Sequence, residues 1–207
     1  MARVAVLVSG TGTILRSVVE AGIPVSVVLA DRPCPALALA SEAGVEAVLC
    51  DRREFGGFGP AFDRQRYTEA LARALRVRGV DLVAMAGFGT VLGTQVHAAF
   101  PGRILNTHPS LLPAFPGWHA VADALSAGVT TTGCTVHVAI AAVDAGPVLA
   151  QEEVAVLPGD SEAALHERIK EVERRIYPAT ILRVLAELGR AGDAASAVDA
   201  ATMGSTR

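Results

Sequence analysis

Short apolar runs alternate with longer amphipathic stretches through the first half of the chain. Val4–Val8, Val25–Ala30, Ala47–Cys50 and Leu82–Ala86 have the pattern of short buried strands. Between them, Ile14–Ala21, Ala36–Ala43 and Arg66–Arg78 carry apolar residues at helical spacing. This β-α-β-α alternation predicts a parallel sheet with right-handed crossovers. Arg103-Ile104-Leu105 reads as one more buried strand, and after it the pattern changes. Thr132–Ile140 and Val148–Val156 read as longer extended segments, joined at Ala141–Gly146 into a hairpin-like pair. A long helix follows, opened by Asp160-Ser161-Glu162 and closed by Arg190-Ala191-Gly192. The remainder, 191–207, is nearly free of large apolar side chains and is expected to be a flexible tail. The expected fold is α/β: a Rossmann-like open, mostly parallel twisted sheet with helices on both faces. The C-terminal strands extend that sheet, and residues 1–190 form a single domain.

Composition narrows the function classes. Hydrophobic residues make up 51% and charged residues 19% of the 207, enough apolar material to cover a sheet on both faces. The three cysteines, Cys34, Cys50 and Cys134, are scattered without a C-x-x-C pair. That spacing excludes a zinc ribbon and argues for reduced, buried thiols rather than a disulfide framework. A net charge of −3 supplies no basic footprint for nucleic acid. No apolar run reaches the length of a membrane span. The N-terminus runs directly into the Val4–Val8 strand pattern without an apparent signal-peptide cleavage site, so a cytoplasmic location is expected.

Two segments carry candidate chemistry. The first is Asn106-Thr107-His108-Pro109-Ser110-Leu111-Leu112-Pro113, at the end of the Arg103–Leu105 strand. Ligands of open α/β sheets bind outside the carboxyl ends of the strands. Asn106 and His108 are two apart on an extended segment and project to one face. An amide beside an imidazole suits a reaction with a developing oxyanion and a proton to move. A capping Asn and a surface His in a proline-rich turn is the alternative reading. The second segment is Val143-Asp144-Ala145-Gly146-Pro147. A carboxylate here could orient an imidazole and support its charge, or Asp144 could be an ordinary turn residue.

Ser9-Gly10-Thr11-Gly12-Thr13 joins the first strand to the first helix. Its glycines allow a tight turn, and N–H groups at a helix start can cradle a phosphate. The third glycine of the dinucleotide fingerprint is missing, Leu15 standing there, so a plain structural turn stays open. The remaining histidines read as accessory. His97 and His166 fall on helix patterns and are expected to be exposed. His119 lies in a loop near the site, and His137 is expected to be a hydrogen-bonded structural histidine nearby. No pair has a recognised metal-ligand spacing, so no metal is expected.

Read together, N-x-H-P-S-L-L-P, then Gly133-x-x-Val136-His137, then Asp144-x-Gly146-Pro147 resemble the folate-dependent formyltransferases. The chain is similar to the small, single-domain branch of purine biosynthesis, from Val4 to about Leu188. The resemblance implies transfer of a formyl group from 10-formyltetrahydrofolate, as co-substrate, to the amine of 5'-phosphoribosylglycinamide. Under it, Asn106, His108 and Asp144 are the catalytic group. Gly10, Thr11, Gly12, Thr13, Lys170 and Glu173 take the ribonucleotide, with Lys170 near the phosphate. Arg64, from Arg64-x-x-Tyr67, belongs to the folate site. So do the loops Phe88-Gly89-Thr90-Val91-Leu92 and Ile140-Ala141-Ala142-Val143, which embrace the pterin. Residues 1–100 then form the phosphate-binding half and 101–190 the catalytic and folate-binding half.

The chain departs from the family pattern at three places. Ile14 replaces an Asn after the glycine loop, Gly89-Thr90 replaces Met-Arg or Met-Lys, and Ala141-Ala142 replaces acidic residues. Other 10-formyltetrahydrofolate enzymes share parts of the pattern. The methionyl-tRNA enzyme adds a C-terminal domain and the hydrolase an N-terminal one, and this chain is expected to have neither. A non-catalytic nucleotide-binding module would need no N-x-H with a supporting Asp. The expected partners are small-molecule substrates, with neither nucleic acid nor membrane, and the expected state is a monomer or homodimer.

Overall fold

The structure, a computed structural model, describes the backbone of residues 2–203 and the side chains of residues 2–190. Its elements alternate as the apolar pattern requires. β1 (Val4–Val8), β2 (Val25–Ala30), β3 (Glu46–Leu49), β4 (Leu82–Met85) and β5 (Ile104–His108) are linked mainly by helices. Those helices are α1 (Thr13–Glu20), α2 (Pro35–Glu42), α3 (Arg64–Arg76) and α4 (Thr94–Ala99), with a 3₁₀ turn at Arg52–Phe55. α5 (Ala120–Ser126), β6 (Thr131–Val138), β7 (Val148–Ala155) and α6 (Glu162–Met203) complete the chain.

The seven strands form one sheet in the order β3-β2-β1-β4-β5-β6-β7. Pairing is parallel from β3 through β5 and antiparallel for β5–β6 and β6–β7. This is the expected α/β architecture. Period-two alternation explains how both faces are used. Val4, Val6 and Val8 of β1 pack with Ile14, Leu15 and Val18 of α1 and with Tyr177 and Ile181 of α6. Ala5 and Leu7 turn the other way, toward Tyr67, Leu71 and Leu75 of α3 and Val96 of α4. All five β1 residues are fully buried, as a strand covered on both faces should be. The chain order reverses between β1, which leads to β2, and β4, on its other side. That reversal opens a crevice at the carboxyl ends of β1 and β4.

Several local readings need correction. β3 was expected to be a buried strand, but it is the sheet edge, and Glu46, Ala47 and Leu49 are exposed. Glu46 there pairs with Arg78 at 2.7 Å. α3 starts at Arg64 rather than Arg66, because Asp63 Oδ1 accepts from the Arg66 N–H at 3.0 Å and caps the helix. α5 was not anticipated. α6 continues past Arg190-Ala191-Gly192 to Met203; its alanine-rich sequence favours helix, against a cost of about 1 kcal/mol for the glycine. The expected flexible tail falls, from residue 204, outside the described residues. Only Cys134 is buried, whereas Cys34 and Cys50 are half-buried in loops flanking β2 and β3. No helix among the described residues is long and apolar enough to cross a membrane.

Candidate active site

β5 and β6 meet in antiparallel register with Asn106 directly opposite His137. The strand that was expected to end near Leu105 runs on to His108, so Asn106 and His108 are strand residues projecting to one face. The amide nitrogen of Asn106 lies 3.2 Å from His137 Nε2, and His137 Nδ1 lies 3.1 Å from the Val138 carbonyl. The Asn106 amide carries two hydrogens and can direct at most one of them at Nε2, so one is left over. A register irregularity between Val136 and His137 on the β7 side gives β6 the local bend of a bulge.

Asp144 sits under both histidines. Its Oδ2 is 3.4 Å from His108 Nδ1 and its Oδ1 is 3.6 Å from His137 Nε2, with all three side chains nearly buried. Asp144 adopts a positive φ of 54°, as the tight turn before β7 demands. The Gly117 N–H donates to its Oδ2 at 2.8 Å. Burial pushes the Asp144 carboxyl upward. His137, the Gly117 N–H and the charge of His108 outweigh that push and hold it below the usual carboxylate range. The other ring nitrogen of His108, Nε2, lies 2.8 Å from the Phe115 carbonyl. Both nitrogens of this ring therefore face oxygen atoms. The 115–117 turn thus touches both His108 and Asp144.

These residues line a cleft of about 390 Å³ at the β1/β4 crevice. Gly10, Thr11, Gly12 and Thr13 form one wall at the N-terminus of α1. Gly12 has φ 80°, and a Cβ there would come within 2.9 Å of Ala36 Cβ, so this turn requires glycine. Ile14, which follows, packs in the core cluster and also contributes to the cleft lining. From α6, Lys170 and Glu173 reach the same cleft. Lys170 Nζ is 3.6 Å from Glu167, a surface pair. Burial raises the Glu173 carboxyl to about 7, against the pull of a hydrogen bond from Thr107 and the charges of Lys170 and Arg174.

Phe88, Gly89, Thr90, Val91 and Leu92 line the opposite side, and Ile140 and Val143 stand exposed at its mouth. Ala141 and Ala142 do not line the cleft, and neither does Arg64, which is exposed at the start of α3. Sequence reasoning missed Trp118, 69% exposed at the mouth. His97 and His166 were expected on the open surface, but both are half-buried cleft residues. Desolvation lowers the pKa of each; backbone contacts to Ala139 and Leu92 oppose this at His97, and the Lys170 charge adds to it at His166. Their helices turn those positions inward, which a short amphipathic pattern did not resolve. His119 is exposed and stands outside the lining. Among the described residues, no group of three or more His, Cys, Asp or Glu is placed to hold a metal ion.

A family model described as formyl transferase matches residues 2–181. Phosphoribosylglycinamide formyltransferase of Mycobacterium tuberculosis is 46% identical over 185 residues, covering 87% of this chain and 83% of that one. The human trifunctional purine biosynthetic protein adenosine-3 is 36% identical over 187 residues, 87% of this chain and 18% of that longer protein. Among solved structures, glycinamide ribonucleotide transformylase 1 of Symbiobacterium toebii superposes with a TM-score of 0.81 at 45% identity. That match covers 87% of this chain and 86% of the other. The Streptococcus pneumoniae phosphoribosylglycinamide formyltransferase gives a TM-score of 0.82 at 34% identity, over 89% of this chain and 99% of the other. Matched by the family model over residues 2–181 and by relatives over 87% of its length, the chain belongs to the formyl transferase family.

Proposed function

We propose that this enzyme moves the formyl group of 10-formyltetrahydrofolate onto the amine of 5'-phosphoribosylglycinamide, a step of purine (IMP) biosynthesis. The observation that carries this reading is the convergence of Asn106, His108 and Asp144 in the cleft that the glycine turn and the 88–92 loop enclose. The ribonucleotide phosphate sits on the N–H groups of Gly10–Thr13, with Lys170 adding charge and Glu173 facing the sugar or glycinamide. The pterin lies against Phe88–Leu92, Ile140 and Val143, with Ala141 and Ala142 behind that turn. Arg64, outside the cleft, acts only on parts of the folate that project beyond it. Both substrates are small molecules taken up in the cytoplasm by a monomer or homodimer.

In the reaction the glycinamide nitrogen attacks the formyl carbon, forming a C–N bond and a tetrahedral oxyanion. The unused amide hydrogen of Asn106 is the donor for that oxyanion. Charged His108, supported by Asp144, adds a second stabilising group. As the bond to the folate nitrogen breaks, the amine gives up its proton and the departing nitrogen takes one, with His108 as carrier. To serve, His108 Nε2 exchanges its contact with the Phe115 carbonyl for the substrate. Holding both substrates in line contributes as much as the donors do.

The test is folate release, followed by absorbance, with and without the ribonucleotide. Release that depends on the ribonucleotide, with formylated product in equal amount, is the expected result. Release without it would mark a hydrolase, and binding of phosphoribosyl ligands with no release would mark a non-catalytic module.

A further inference from the structure

Thr90 is part of the cleft lining, but its hydroxyl is spent on groups behind the wall. It is 2% exposed, and its hydroxyl is used in both directions. The O–H donates to Asp31 Oδ2 at 2.7 Å, while the same oxygen accepts from Arg52 Nη1 at 3.2 Å. Asp31 follows β2 directly and is fully buried. It also accepts from Arg32, at 3.0 Å through Nε and 3.3 Å through Nη2. Arg52 reaches one residue further along the loop, to the Gly89 carbonyl at 3.4 Å. The Gly89 N–H donates to Ser9 Oγ at 2.5 Å. The Gly89–Thr90 segment is thus held through its N–H, its carbonyl and its side chain, by three different parts of the chain.

The space behind Gly89 is already taken. A Cβ there would lie 2.8 Å from Arg32 Nη2 and 3.2 Å from Ser9 Oγ. The Arg32 and Arg52 guanidiniums both lie over the Phe58 ring, at 4.2 and 4.4 Å, and Arg52 also covers Phe62 at 3.9 Å. The buried carboxylate therefore holds the Arg32 guanidinium and the Thr90 hydroxyl directly and reaches the Arg52 guanidinium through that hydroxyl. A buried charge that loses a partner is costly, so the group favours one arrangement. None of Asp31, Arg32 or Arg52 lines the cleft.

We infer that Asp31, Arg52 and Thr90 are positioning residues for the folate-facing wall. They hold the Gly89–Thr90 segment from behind and thereby set the affinity for the folate, Asp31 and Arg52 doing so from outside the cleft lining. The inference rests on the proposed placement of the pterin against this wall. Its signature is selectivity, since the ribonucleotide side of the cleft is built from α1 and α6.

The experiment is steady-state kinetics of the full chain with each substrate varied in turn. Thr90→Val keeps the shape of the side chain and removes both hydroxyl contacts. The KM for 10-formyltetrahydrofolate is expected to rise about tenfold, the size of one charge-assisted hydrogen bond, with the ribonucleotide KM within about twofold. Thr90→Ser should restore the folate KM. Arg52→Gln, at a residue outside the lining, removes the outer contact, leaves Asp31 paired with Arg32, and should give the same selective rise; an unchanged folate KM there would overturn the inference whether or not Thr90→Val folds. An equal rise in both KM values, or an unchanged folate KM, would overturn the inference. Val91→Asp, placed on the cleft side, separates the two levels. A raised folate KM in Val91→Asp with none in Thr90→Val defeats the positioning role alone. No effect from either defeats the placement of the folate as well.

Discussion

His108 Nδ1 and Asp144 Oδ2 lie 3.4 Å apart, and the second oxygen of the same carboxylate lies 3.6 Å from His137. One anion thus serves two imidazoles that come from adjacent strands. His108 receives its charge support, while His137 passes its influence to the Asn106 amide. The proposed oxyanion donor and the proposed proton carrier are therefore both linked to one carboxylate.

Replacing Asn106 with Ala removes the donor proposed for the oxyanion. Turnover is expected to fall by about 10²–10³ with little change in either KM, the mark of an interaction made in the transition state. Near wild-type kcat in this variant would remove Asn106 from the chemistry.

Asp144→Asn keeps the shape and loses the charge, and kcat should drop by on the order of 10²-fold. The change also has a stability signature. The folded Asp144 carboxyl sits below its ordinary range, so it contributes stability above that range. The contribution is lost as pH falls through the lowered folded value. Thermal melts from pH 3 to 7 should show wild type losing its advantage over Asp144→Asn toward the acidic end. Parallel melting curves would contradict this.

Lys170→Met tests the division of the cleft. The KM for the ribonucleotide should rise about tenfold while that for the folate stays constant. Inorganic phosphate should compete with the ribonucleotide alone. Phosphate competing against the folate would reverse the assignment of the two walls.

Glu173 carries the opposite sign. Burial raises its carboxyl to about 7, so between its ordinary range and 7 the folded protein binds more protons than the unfolded chain. Stability from this group is then fully present below its ordinary range and is lost as pH rises toward 7. Glu173→Gln, which stays neutral, should gain Tm relative to wild type as pH climbs from 4.5 to 8. A pH-independent difference would show that the carboxyl is not perturbed.

Gly133→Ala probes the ladder beside the site. A Cβ there would overlap the Glu152 carbonyl and the Leu111 side chain, so β6 and β7 must separate. A cost of about 1–3 kcal/mol is expected, lowering Tm by several degrees in a melt followed by circular dichroism.

The sheet, the helix faces and the Asn106–His108 pair were legible because they rest on local periodicity. Alternation on a strand fixes which residues share a face, whatever lies far away. Asp144 read locally as an ordinary turn residue, and only the family spacing singled it out. What escaped depends on contacts remote in sequence. Thr90 read as a pterin contact, yet its hydroxyl is turned outward by Asp31, 59 residues earlier. The inward turn of His97 and His166 is set by how α4 and α6 pack. β3 looked buried because its composition is apolar, while its edge position follows from topology alone. Arg64 matched a family motif, and the structure puts it outside the cleft lining.

The pairing of Asn106 with His137 across β5 and β6 has a consequence for how errors propagate. A slip of one residue in that ladder would set Val136 or Val138 opposite Asn106 and turn His137 to the far side of the sheet. Cys134 and Val136, now in the core, would turn over with it, so the same slip would break core packing and separate the proposed site residues at once. Alignment along the strand works here as a combination lock, with Gly133 and Gly146 leaving room for neighbouring backbone where a side chain would jam it. Strand registration, core packing and turnover are therefore bound to one another in this molecule, and a shifted hairpin should show itself in the melting curve and in the assay together.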